Sequence, residues 1–148
     1  MRLYVLIIAL FVFLFVLLQC QGQKERSKMC GTWRMIEGSY EGPGVKVVYD
    51  KDERLSYKLI SEEHFAVIEM YKANPESLFF AAVGTYTWDD ISYTEHYEAS
   101  NDPAKVGQTL TFQSSVKEFI WKISLEQESL RLEETWEQIE KLPEKSAQ

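Results

Sequence analysis

From Gly31 onward the chain alternates apolar and polar positions with a period of two, the signature of strands rather than helices. Phe119, Trp121, Ile123 and Leu125 fall on one face, with Lys122 and Ser124 on the other. Leu130, Leu132 and Trp136 align in the same way. Such alternation describes a sheet with one face buried and one wet. Strands are predicted over 31–40, 45–49, 55–60, 64–71, 78–88, 91–98, 107–114, 118–125 and 130–138. Glu41-Gly42-Pro43-Gly44, Asp50 to Glu53, Ser61-Glu62-Glu63 and Lys72 to Glu76 punctuate them as turns. Asp89-Asp90 joins two strands as a hairpin, and 99–106 is the longest polar connection. Gly84, inside an apolar run, predicts a bulge or sharp bend. A short helical turn fits after Trp136. Eight or nine short strands with tight turns predict an all-β fold, an antiparallel up-and-down meander closing into a barrel or a sandwich.

The first residues follow a different rule. Positions 3–18 are continuously apolar behind Arg2, and polar and small residues follow. That layout predicts a signal peptide over 1–22; the run is shorter than the roughly 20 residues a bilayer span needs. Two processing routes are open. Cys20 and Gly22 suit ordinary signal peptidase and leave Gln23 first. Alternatively, Leu17-Leu18-Gln19-Cys20 resembles a lipobox with Gln19 where a small residue is expected, so that a lipid on Cys20 would tie the protein to a membrane. The remaining organisation is a charged tether over 23–30, a barrel domain over 31–140 and a flexible tail over 141–148. The location is therefore secreted or periplasmic, or lipid-anchored in the cell envelope.

Charge and cysteine content narrow the partners. The net charge of −7 becomes more negative when Arg2 leaves with the signal segment. An acidic surface repels phosphate backbones, and no stretch interleaves basic and aromatic residues, so nucleic acid is not an expected partner. Either processing route leaves Cys30 without an internal disulfide partner, as a buried inert thiol or an intermolecular linker.

Candidate chemistry gathers in one segment. In Thr94-Glu95-His96-Tyr97-Glu98, the first, third and fifth residues share a face, opposite Tyr93, Glu95 and Tyr97. If the first set faces inward, His96 beside Glu98 could bind a polar ligand, act as a base, or join His64 in holding a metal. The plainer reading is a solvated face or a core histidine satisfied by Glu98. No His-x-His or His-Glu-x-x-His spacing occurs, and neither a nucleophile elbow nor a phosphate loop is present. No metal, cofactor or catalytic residue is assigned. Tyr57, Tyr86, Trp88, Phe112 and Trp121, with Phe79 and Trp136, could line a pocket for an apolar or amphipathic molecule or fill a solid core, and Glu69 is a candidate inward carboxylate.

Gly31-Thr32-Trp33 resembles the Gly-x-Trp that opens the lipocalin barrel. That resemblance implies that Trp33 plugs the barrel floor and that Arg131 packs across it as a cation–π partner. A longer resemblance runs through Ile60 to Phe65, Gly84 to Thr87, Tyr93 to Glu98 and Leu132 to Trp136. These segments look like the lipocalin-like domains of unknown function found in exported bacterial proteins. The resemblance implies a barrel and an envelope or extracellular place, and carries no reaction with it. Three functions stay open: a carrier of a small, partly apolar molecule, an envelope interaction module with a filled core, and an enzyme using the His96/Glu98 face.

Overall fold

The computed structural model describes residues 28–141. The signal segment, Cys20, most of the tether and residues 142–148 lie outside it. Nine strands follow in order: β1 (Gly31–Gly42), β2 (Val45–Val48), β3 (Arg54–Ile60), β4 (His64–Tyr71), β5 (Asn74–Trp88), β6 (Ser92–Ser100), β7 (Thr109–Lys117), β8 (Ile120–Gln127) and β9 (Leu130–Lys141). All pairings are antiparallel. Strands β3 to β9 form a meander, and β1 pairs with both β3 and β9, closing an eight-stranded barrel. The short β2 is an added strand on the far half of β1, paired from Ser39↔Val48 to Gly42↔Val45.

The alternation in the sequence decides which side chains point in. Tyr93, Glu95 and Tyr97 of β6 are buried, and so are Trp121, Ile123 and Leu125 of β8. Strand β5 bends where it was expected to: the β5–β6 register shifts between Val83 and Gly84. A Cβ on Gly84 would run into the His96 carbonyl, so the close approach requires glycine there.

One end of the barrel is filled. Met29 is fully buried just before β1, and the Trp33 indole N–H donates to its carbonyl at 2.8 Å. Trp33, Trp121 and Tyr93 are fully buried there, with Trp121 edge-on to Trp33 at 5.5 Å and to Tyr93 at 4.7 Å between centroids. Burying each such ring contributes roughly 1.5–3 kcal/mol, with a further increment from the edge-to-face geometry. Cys30 lies at the same end, buried, its thiol donating to the Ser61 carbonyl at 3.1 Å.

Several element boundaries differ from the sequence reading, those of β5 and β9 among them. Strand β5 begins at Asn74 rather than near residue 78, and β9 continues to Lys141 where a helical turn was expected. The start of β5 is held by β4, through Tyr71↔Asn74; at the end of β9, Thr32 pairs with Glu140 and Gly31 with Lys141, so closure of the barrel supplies backbone partners that local pattern does not reveal. The polar connection near residue 100 contains a 3₁₀ turn, Pro103–Lys105, capped by Asp102, whose carboxylate accepts from the Ala104 N–H at 3.0 Å.

Candidate functional site

Above the aromatic end, the barrel is not filled. A cavity of about 460 Å³ occupies the interior. Tyr40 and Val47 of the β1–β2 hairpin, Phe79 near the start of β5, and Asp102 and Lys105 of the β6–β7 connection line its mouth. Its walls are largely apolar, with Met35, Val67, Phe80, Leu110, Phe112 and Leu132 contributing. A larger depression of about 640 Å³ lies against β7, β8, β9 and β1, but Glu37, Gln113, Ser115, Lys122, Ser124 and Thr135 give it a polar lining. The interior cavity has the composition of a small-molecule site, an apolar wall with a few placed polar groups.

Strand β3 supplies the unusual residues. Its apolar set, Leu55, Tyr57 and Leu59, faces outward, and its polar set, Arg54, Ser56 and Lys58, faces inward and is buried. Lys58 Nζ donates to Glu95 Oε1 at 2.8 Å, with side chains 4% and 2% exposed. The ammonium also sits 4.9 Å from the Trp136 ring centre, 5.1 Å from Trp121 and 5.4 Å from Tyr93. This aromatic cage offsets part of the cost of removing the charge from water. Glu95 is satisfied on its other oxygen by the Tyr97 hydroxyl. Burial and that carboxylate push the Tyr97 hydroxyl far above its ordinary range, so it acts as a donor.

Arg54 closes the seam where β1 leaves β3 for β2. Its guanidinium donates to Glu69 Oε1 at 2.8 Å and to the Val48 carbonyl at 3.0 Å. It lies against Tyr49 and Phe79 at 5.4 and 5.3 Å. Burial raises the Glu69 carboxyl above its ordinary value, and Arg54 pulls it back.

Two groups on the cavity wall are less completely matched. Glu134 on β9 faces the cavity and accepts from the Trp136 indole N–H at 2.8 Å. Among the described residues, no basic group stands within ion-pair distance of it. Burial raises its carboxyl above the ordinary value and Glu95 adds to this, while Lys58 and the Trp136 N–H pull it down. The Ser56 hydroxyl, fully buried on the cavity wall, has no hydrogen-bond partner among the described residues.

The sequence-derived candidates divide by face. Glu69 and Phe112 line the cavity. Trp121 is fully buried against the Lys58 ammonium, and Tyr86 is buried with its hydroxyl donating to the Ser61 carbonyl at 2.8 Å. Trp88 packs on the aromatic core, and Trp33 lies fully buried at the closed end. Three candidates sit elsewhere. Tyr57, His96 and Glu98 lie on the outward sets of β3 and β6; His96 is exposed and its Nδ1 bonds Thr109 Oγ1 at 3.0 Å, and Glu98 is exposed. The inward set of β6 is the other one, because Tyr93 and Tyr97 carry the apolar area that must be buried. Arg131 is exposed and paired with Glu133 at 2.8 Å, so it does not pack on Trp33; β9 places Gln138 opposite Trp33 instead. The cation over indoles in this barrel is Lys58.

Pattern reading missed Arg54, Ser56, Lys58, Glu95, Tyr97 and Glu134. The one available signal was the spacing Tyr93-Glu95-Tyr97, in which two large aromatic residues mark the inward face and carry Glu95 with them. Among the described residues, no three His, Cys, Asp or Glu side chains come together as a metal set, and no helix is long and apolar enough to cross a membrane. Comparison with protein families, with curated proteins and with solved structures finds no match for this chain.

Proposed function

We propose that this is an exported, lipocalin-like barrel that holds one small, partly apolar molecule in its interior. The observation that carries the reading is the cavity of about 460 Å³ standing above buried, paired charges. Its volume falls within the roughly 300–1,000 Å³ usual for small-molecule sites. A barrel built only to be stable has little use for such pairs, since apolar residues of the same volume serve stability as well or better. Here Arg54, Lys58, Glu69 and Glu95 hold fixed polar groups around open space, which is what orients a ligand. The export component rests on the apolar run behind Arg2, and the lipocalin-like component on Gly31-Thr32-Trp33 opening the barrel.

Native mass spectrometry of the chain purified from its own host tests this, with the denatured mass taken from the same sample. A discrete, extractable small molecule in the native mass supports a carrier. A bare native mass, with added metabolites and lipids also failing to bind, favours an envelope interaction module. The denatured mass reads the processing: a chain starting at Gln23 is soluble after export, and a lipidated Cys20 is membrane-anchored. An intact Met1 would remove the export component.

A further inference from the structure

We infer that the cavity is selective for an amphipathic amine whose ammonium is held by the Glu134 carboxylate. This rests on the reading of the interior as a ligand site and adds the chemical class of the ligand. The argument is one of supply and demand among the interior charges. Both deep cations are committed: Arg54 to Glu69, the Val48 carbonyl and two rings, and Lys58 to Glu95 and three rings. An anionic ligand would have to take one of them from a buried partner and leave that carboxylate unpaired, which is strongly unfavourable.

Three carboxylates, by contrast, line the cavity, and the partly buried Glu134 is the one with no cation within ion-pair distance among the described residues. At the mouth, Asp102 and Lys105 offset each other. An ammonium entering the cavity therefore completes the charge balance. The cavity also presents the Ser56 hydroxyl, a buried acceptor with no partner of its own among the described residues. Aromatic walls from Phe79, Phe80 and Phe112 suit the apolar body, and ring faces favour a neighbouring cation. The net charge of −7 favours approach of a cation over an anion.

Isothermal titration with three indoles of similar size tests this: tryptamine, the neutral alcohol tryptophol, and the anion indole-3-acetate. The inference expects tryptamine to bind roughly tenfold or more tightly than either isostere. Glu134→Gln should erase that margin and leave tryptophol binding in place, with a thermal melt confirming the fold. Equal binding of the three, tightest binding of the anion, or an unchanged margin in Glu134→Gln would overturn the amine assignment alone. Failure of all three, together with failure of a neutral aromatic reporter to enter the wild-type barrel, would overturn the interior site itself.

Discussion

Lys58 on β3 and Glu95 on β6 meet across the barrel interior at 2.8 Å, one an ammonium inside a cage of three rings and the other a carboxylate capped by a tyrosine. The strands are not neighbours, so the pair ties opposite walls at the level where the filled end gives way to the cavity. Lys58 and Tyr97 there replace the water that the buried Glu95 side chain gives up.

Removing one partner of this pair should therefore cost more than removing both. Lys58→Met leaves Glu95 buried and uncompensated, and is expected to lower the unfolding free energy by about 3–5 kcal/mol. Adding Glu95→Gln to it should restore more than half of that loss, because the stranded charge is gone. Urea unfolding of the two single variants and the double variant measures the coupling; additive losses would show the pair to be independent.

Ser56→Val should stabilise the protein and weaken its binding. The hydroxyl at position 56 is buried without a partner among the described residues, and leaving such a group unsatisfied costs roughly 1–3 kcal/mol. Valine fits the strand and narrows the cavity. A rise of about 1 kcal/mol in stability with a loss of tryptamine affinity is expected. A destabilised variant would mean the hydroxyl is satisfied in solution.

Glu134 sets a pH dependence with a definite sign. Its carboxyl is held above the ordinary value of 4.5 by burial first and by Glu95 second. The folded protein thus binds that proton more tightly than the unfolded chain, so this group's contribution falls as pH rises from 4.5 through the raised value. Glu134→Gln should flatten the decline over that window; the part that remains belongs to Glu69, raised by its own burial. Amine binding should run the opposite way, tightening as Glu134 ionises, since an alkylammonium stays charged throughout. Lys58 from β3, Glu69 from β4 and Glu95 and Tyr97 from β6 act electrostatically on the same carboxyl or feel it, and the apparent midpoint will include them. Melting curves and titrations between pH 4 and 8 check both slopes.

Gly84→Ala and His96→Ala separate backbone need from side-chain display. The first forces a Cβ against the His96 carbonyl at the β5 bulge and should cost about 1–3 kcal/mol. The second removes an exposed ring bonded only at the surface and should change stability by no more than about 0.5 kcal/mol. A large effect of His96→Ala on binding would place function on the outer wall.

The all-β class and the Gly84 bulge were legible because strand periodicity and glycine chemistry are local. The faces were legible on β8 at Trp121, Ile123 and Leu125, whereas Phe119, grouped with them by alternation, falls in the turn before β8 and is exposed. Strand β3 defeated the same logic. Leu55, Tyr57 and Leu59 share one apolar face by alternation, yet the barrel buries the opposite set, Arg54, Ser56 and Lys58, where Arg54 finds Glu69 on neighbouring β4 and Lys58 finds Glu95 and the rings across the interior. Partners about 15 and 37 residues away decide that orientation, and no window of β3 contains them. Glu134 was hidden similarly, as one acid in an acidic stretch whose inward turn follows from pairing Ile123↔Glu134.

Methionine methyl NMR tests the interior site most directly, because Met35 lines the cavity, Met29 is fully buried at the closed end, and Met70 lies in β4 outside the cavity lining. With [¹³C-methyl]methionine protein and the neutral aromatic reporter N-phenyl-1-naphthylamine, the Met35 signal should shift and saturate at one equivalent, while Met29 and Met70 stay in place. A Met35 signal that never moves, or a reporter that moves Met70 instead, would contradict a ligand site inside the barrel.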